Sequence, residues 1–321
     1  MKIPEIERID CCPICKSKYR KYWSEAKDLL TQSSTEIFEY SQCTKCYVLY
    51  MNKRPVESDI GFFYTNAYHP YQSEALKKQS SWYKLLNRIL SFLKIFGIRN
   101  KLQRKTDEVY KSLANGDVFV DFGCGAGKYL DLMRNRKCKT IGVDFSPIAI
   151  NEISKNGHEG YLVNDFFKNI PNHSVDLVRM NHVVEHLYHL LEMLSGIGGK
   201  VKKGGHLHIA VPNPLGISSI FFRRNWHGLD CPRHVILYPS KTLISILKEA
   251  GFDNFLILQE TISKDFVRSL GYLFAEYGLV KLDKVNDLMY SKTLKIIFFI
   301  PIFIISKFGF GDRYHIFCCK K

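Results

Sequence analysis

The sequence has no apolar run long enough to cross a bilayer. Its longest, "IIFFIPIFIIS" at residues 296–306, lies between Lys295 and Lys307 and is interrupted by Pro301. A spanning helix needs roughly 20 apolar residues, so no span is expected and a buried or interfacial helix remains. The opening residues, "MKIPEIERID", lack the apolar core of a secretory leader, so none is expected. No internal repeat and no low-complexity segment occurs, which argues against a solenoid or a tail-dominated chain. Acid is also scarce: 31 Asp and Glu against 46 Lys and Arg give a formal net charge of +15. That deficit favours anionic partners such as nucleic acid, acidic lipid head groups or diphosphate-linked substrates, or else a solvated basic face with no partner. With 46% hydrophobic and 24% charged residues over 321 positions, the chain is not disordered and can fill one large core plus a smaller module.

Cysteine, by contrast, is plentiful, with ten residues. In a chain of this size and kind, metal ligation and buried thiols are the expected uses rather than disulfides. Cys12-Pro-Ile-Cys15 and Cys43-Thr-Lys-Cys46 form two C-x-x-C knuckles. Two residues between thiolates let both sulfurs reach one ion, and two knuckles complete a tetrahedral site suited to structural zinc. The stretch "TEIFEYSQC" between them alternates like a strand. Residues 1–60 therefore read as a zinc-ribbon-like module, with Cys11 a spare thiol. Residues 61–115 read as an aromatic and then basic helical linker. Leu85, Leu86, Ile89, Leu90, Phe92, Leu93, Ile95 and Phe96 would line a broad face, either packed on the main domain or resting on anionic lipid.

From residue 116 strand-like and helix-like segments alternate. Strands are expected at 117–122, 139–144, 160–164, 174–181, 205–211, 252–260 and 313–319. This pattern gives a parallel sheet covered by helices, with ligands at the carboxyl ends of its strands. The first of these strands runs into "VFVDFGCGAGKYL", residues 118–130. A P-loop is excluded, because Phe122 and Tyr129 stand where its first glycine and its hydroxyl belong. A dinucleotide loop fits poorly: Lys128 replaces the third small residue, and the acid Asp121 would repel a pyrophosphate.

What remains is Asp121-x-Gly123-x-Gly125-x-Gly127, followed by "IGVDFSP", "LVNDFF", "VDLVRMNHVVEHL" and "KKGGHLHIAVPN". The set, in this order over roughly residues 100–260, resembles the class I S-adenosylmethionine-dependent methyltransferases. That resemblance implies an α/β, Rossmann-like seven-stranded sheet over residues 116–321, with 261–312 a helical insertion before the last strand. It implies that Asp121 faces the positive amino-acid end of the cofactor. Gly123, Cys124, Gly125 and Gly127 would form the loop, with Asp144 on the ribose. Asp165 would lie near the adenine, with Phe145, Phe166 and Asn181 beside the cofactor.

Candidate acceptor-side residues follow the fourth and fifth strands. His182, Glu185 and His186 share spacing with the E-x-x-E-H site of polyprenyl catechol and small-RNA terminal 2′-O-methyltransferases, which bind a divalent ion. His182 replaces the first Glu, so Glu185 and His186 either hold an ion or brace the fold. The "LDCPRH" stretch resembles the lid of bacterial methyltransferases that carry an N-terminal zinc ribbon and are linked to surface-polysaccharide or sugar modification. There His234 is the expected general base and Arg233 an anion holder, or both anchor the loop. The expected acceptor is a small molecule or a saccharide linked to lipid or nucleotide. RNA is the alternative, although the [DN]-P-P-[YF] block used on base amino groups is absent, and a polyprenyl-type lipid is another. The expected setting is the cytoplasm, with peripheral contact at the inner face of an anionic membrane.

Overall fold

The computed structural model describes residues 4–64, 101–260 and 262–321. The basic apolar stretch expected to be helical around residues 82–98 lies outside them.

Four strands open the chain: β1 (Ile6–Arg8), β2 (Arg20–Ala26), β3 (Phe38–Cys43) and β4 (Leu49–Pro55), in antiparallel order β1-β4-β3-β2. The alternation in "TEIFEYSQC" becomes β3, which buries Phe38, Tyr40 and Cys43. After α1 (Lys101–Lys111) comes the larger unit. Its elements run β5 (Val118–Phe122), α2 (Lys128–Arg134), β6 (Lys139–Asp144), α3 (Pro147–Lys155), β7 (Glu159–Leu162), α4 (Val163–Asn169), β8 (Val175–Asn181), α5 (Leu190–Lys200) and β9 (Val201–Pro212). Then follow α6 (Ile217–Phe222), β10 (Ile236–Leu237), α7 (Ser240–Glu249), β11 (Phe252–Glu260), α8 (Ser263–Glu276), α9 (Val285–Tyr290), α10 (Lys292–Lys307) and β12 (Arg313–Lys320).

Seven strands form one sheet in the order β7-β6-β5-β8-β9-β12-β11. β5 to β9 are parallel, and β12 is antiparallel to both of its neighbours. The parallel strands are nearly continuous apolar runs, as strands covered on both faces must be. The sheet order reverses between β6 and β8 around β5, so a crevice opens at the carboxyl ends there. The seven expected strands are all present. β9 begins earlier than expected, at Val201, because Lys202 to Gly205 extend it at an exposed end.

The N-terminal strands do not form a free-standing module. β10, from the segment after Arg233 and His234, pairs with β4 through Ile236 opposite Tyr50 and Leu237 opposite Leu49. One apolar core therefore runs from Cys43 and Tyr50 through Val235 and Ile236 to Val178 and Ile209.

Candidate active site

β5 ends in a turn that only glycines can make. Gly123, Gly125 and Gly127 have φ of 80°, 50° and 80°, a region other residues rarely occupy. Space forbids a side chain as well: a Cβ on Gly123 would stand 2.4 Å from Cγ2 of Val183, and one on Gly127 2.9 Å from Cγ2 of Ile153. Bare backbone thus lines the crevice, and Val183 ties the loop to the residues after β8. Beside it, at the end of β6, Asp144 is held from both sides. The Gly125 amide donates to its Oδ2 at 3.0 Å and the Ser146 amide to its Oδ1 at 2.9 Å. Each oxygen keeps a lone pair for a further donor. Burial pushes the Asp144 pKa up, against the amides of Ser146, Gly125 and Phe145, which hold it down.

Asp121 is placed differently from expectation. Nη1 of Arg179, on the neighbouring β8, donates to its Oδ1 at 2.8 Å, and both groups are buried. Arg179 also lies over the Tyr129 ring, 3.5 Å from its centroid. Asp121, expected to face the cofactor's ammonium, is thus paired within the protein through Oδ1. Its charge is compensated from within, by a cation the register of β5 and β8 places directly beside it. Burial still raises the pKa of Asp121, with Arg179 opposing.

A second cluster forms at the end of β8. His182 has φ of 54°, a strained position that for a non-glycine residue recurs at functional sites. Its Nδ1 lies 2.8 Å from Oε1 of Glu185. Glu185 is buried, and among the described residues its Oε2 has no hydrogen-bond partner. His234 arrives from the loop before β10. Its Nδ1 lies 2.8 Å from the Gly228 carbonyl, which leaves Nε2 pointing at Oε1 of Glu185, 3.7 Å away, and at Oδ2 of Asp230, 3.8 Å away. The rings of His182 and His234 lie nearly parallel, 6.5 Å apart. Atoms from His182, Glu185 and His234 all fall within 4.8 Å of one another. Burial works to raise the Glu185 pKa, but the His182 hydrogen bond and the nearby imidazoles bring the carboxyl down to about 2. Burial and the Arg313 charge lower the His182 pKa, against Glu185, which raises it. An oriented neutral imidazole on a fixed carboxylate is the arrangement of a general base.

Exposure separates the two imidazoles. The His182 side chain is 30% exposed and that of His234 6%. His186 is directed elsewhere: its Nδ1 lies 2.9 Å from the Arg233 carbonyl and 2.8 Å from the Tyr64 hydroxyl, and burial lowers its pKa to about 4.

Arg233 is wholly enclosed, at 0% exposure. Its guanidinium donates to Asp28 Oδ1 at 2.9 Å, Asp230 Oδ1 at 2.7 Å, Thr31 Oγ1 at 3.1 Å and the Phe63 carbonyl at 3.1 Å. Asp28 belongs to the N-terminal unit, so the pair spans the seam. The Tyr40 hydroxyl crosses the same seam, donating to the His234 carbonyl at 3.1 Å. Arg233 is thus a tie beneath the lid, and the expectation that it holds an anion on the acceptor is corrected.

The sequence model of the family described as "Methyltransferase domain" matches residues 96–256, half of the chain. The chain belongs to this methyltransferase family. It is 24% identical over 189 residues to a probable S-adenosylmethionine-dependent methyltransferase of Mycolicibacterium smegmatis, covering 54% of this chain and 66% of that protein. This chain thus spans just under two thirds of that relative's length. Among solved structures, an S-adenosylmethionine-dependent methyltransferase from Archaeoglobus fulgidus is similar at 25% identity and TM-score 0.47, covering 68% of this chain and 90% of that one. Phosphoethanolamine N-methyltransferase 2 of Haemonchus contortus, in complex with S-adenosyl-L-methionine, is similar at 16% identity and TM-score 0.47, covering 94% of this chain and 68% of that one.

In this methyltransferase, the glycine loop, Asp144 and the half-buried Asn181 gather at one crevice. Phe145 stands exposed beside Asp144, its ring 6.4 Å from that of Phe122. Asp165 is exposed in the first turn of α4. Phe166 is enclosed in the core, edge-on to Phe122 at 5.9 Å. Its ring, expected beside the cofactor, packs in the core instead of standing exposed like Phe145. Cys124 is buried, and burial, with Asp144 and Asp121, raises its thiol pKa, which fits an inert filler. Asp144→Asn is expected to weaken S-adenosylmethionine binding by about 1.5–3 kcal/mol, the range of a hydrogen bond to a charged group. Titration calorimetry of both proteins checks it; an unchanged affinity would remove Asp144 from the site.

From sequence, His182 was weighed only as a substituted metal ligand, and the base was looked for at His234. The signal was present: an imidazole three residues before Glu185, directly at a strand end.

Proposed function

We propose that this methyltransferase transfers the methyl group of S-adenosylmethionine to a hydroxyl on a small-molecule or saccharide acceptor carried by a lipid or nucleotide. The residues fit the cofactor: a bare glycine turn lies against a carboxylate with free lone pairs. When bound, the cofactor supplies an electrophilic methyl on a sulfonium. The protein's own task is then to position the acceptor, exclude water and take up one proton.

The observation that carries the hydroxyl reading is the His182–Glu185 pair, 2.8 Å apart and one residue from Val183, which closes on the glycine loop. With Nδ1–H donated to Glu185, Nε2 of His182 holds a lone pair that accepts the acceptor's proton as the new carbon–oxygen bond forms. Glu185 then faces an imidazolium and stabilises it. His234, behind them, acts as a positioning residue, where the sequence pointed to it as the base. The lid resemblance and the basic charge favour a saccharide on an anionic carrier. The test is to incubate the protein with methyl-labelled cofactor and, separately, nucleotide-sugars, a membrane lipid extract and total RNA. Label in a saccharide-bearing fraction is expected. Label in RNA alone would overturn the acceptor class.

The four knuckle cysteines are proposed to hold one structural zinc ion. Cys12 and Cys46 sulfurs lie 3.5 Å apart, as do those of Cys15 and Cys43. All four fall within 4.8 Å of one another. A tetrahedron with zinc–sulfur bonds of about 2.3 Å has edges of about 3.8 Å, so the four thiols suit one ion. Elemental analysis of purified protein is expected to give one zinc per chain, lost in Cys15→Ser. A metal-free, fully folded protein would contradict the assignment.

A further inference from the structure

The long insertion before β12 carries an apolar face that neither the cofactor crevice nor the acceptor cluster uses. α10 has no acidic residue, and Lys295 and Lys307 stand near its two ends. Ile300 is 63% exposed, and Ile297 and Ile304 are exposed on the same helix. The chain leaving α10 adds Phe308, 74% exposed, and Phe310. α6 adds Phe221, 65% exposed. These belong to one surface. The Ile217 amide, at the start of α6, donates to the Phe310 carbonyl at 3.0 Å. Phe222 packs on Phe266 at 5.0 Å, and Phe266 on Phe298 of α10 at 4.9 Å. A contiguous exposed apolar surface of this kind normally marks an interaction site.

The occupant follows from charge and length. Sixteen helical residues span about 24 Å, short of the roughly 30 Å of a hydrocarbon core; among the described residues no single helix is long and apolar enough to cross, and the one pair that passes by length and composition, residues 282–290 with 293–307, is bent by 64°. Cations border the apolar residues at both ends of α10: Lys295, and Lys307 over the Phe303 ring at 4.6 Å. An apolar strip bordered by cations on a chain of net charge +15 matches the interface of an anionic bilayer.

We propose that α6, α10 and residues 308–310 form a one-sided docking surface for an anionic membrane. The surface adjoins the acceptor side. α8, which carries Phe266 between α6 and α10, holds the lid: the Ser269 hydroxyl accepts from the His227 amide at 2.9 Å. A bilayer on this face would bring a membrane-borne acceptor to the lid's edge. The surface itself does not depend on the methyl-transfer reading.

The test is co-sedimentation of the full chain with vesicles of phosphatidylcholine alone and of equimolar phosphatidylcholine and phosphatidylglycerol, at low and high salt. Wild type should partition onto the anionic vesicles, with partitioning reduced at high salt. Ile300→Glu and Phe308→Glu should each lower it about tenfold or more. Both residues lie outside the site, so retained S-adenosylmethionine binding verifies their fold without testing the docking. Absence of wild-type binding to anionic vesicles would overturn the proposal. So would a wild-type dimer that Ile300→Glu converts to monomer, since that would assign the face to a second copy of the chain.

Discussion

Glu185→Gln is expected to lower kcat by roughly 10²–10⁴-fold, the range of a lost general-base function, while the affinity for S-adenosylmethionine stays near wild type. The amide keeps the shape of the carboxylate and can still accept the His182 N–H across 2.8 Å. What disappears is the negative charge that faces the imidazolium when His182 takes the proton. A second signature is directional. Burial and Arg313 lower the His182 pKa and Glu185 raises it. The acid limb of the wild-type rate profile therefore lies below the ordinary histidine value of about 6.5. In Glu185→Gln it should move to still lower pH, because the raising partner is gone. A purely structural role would reduce activity without moving that limb. His182→Ala should abolish turnover at least as strongly, and His234→Gln less. A Glu185→Gln enzyme with wild-type kcat would end the dyad assignment.

Arg233→Met is expected to cost about 3–5 kcal/mol of unfolding free energy, read from urea denaturation, as when one partner of a buried ion cluster is removed. Asp28 and Asp230 would remain buried facing each other without their cation. Burial works to raise the pKa of both carboxyls, but Arg233 outweighs it and lowers them. In the variant both should rise, so the deficit is largest at neutral pH and shrinks as the pH falls towards the carboxylate range. The lid should loosen as well, since the Arg233 carbonyl contacts His186 and the adjacent His234 faces Glu185. Removing the two carboxylates together with the guanidinium, as Asp28→Asn, Asp230→Asn and Arg233→Met, should recover part of the loss. A single-variant cost below about 1 kcal/mol would mean that the seam is held by β10 and the apolar core instead.

The sequence was most readable where backbone chemistry dictates it. Apolar runs such as Val118–Phe122 had to be strands, and the three glycines had to be a turn, because no other residue tolerates both their φ and the approach of Val183 and Ile153. Asp144 was readable for the same reason, as the acid ending the next strand. Lateral partnerships were not. Asp121 and Arg179 are 58 residues apart in sequence and meet only through the register of β5 and β8. Asp28 and Arg233 are 205 apart and meet only because β10 completes the N-terminal sheet. Both pairings change what the residue does. Asp121→Ala, which the motif alone would mark as a pure binding lesion, would also strand Arg179 in the core and is expected to destabilise the protein. The choice between His182 and His234 depended on burial, which spacing along the chain does not carry.

The most direct measurement is titration calorimetry of S-adenosylmethionine into the folded full chain. Saturable binding at one site per chain, displaced by S-adenosylhomocysteine and weakened in Asp144→Asn, is the expected result. A folded chain that takes up neither compound would contradict the methyltransferase reading at its foundation.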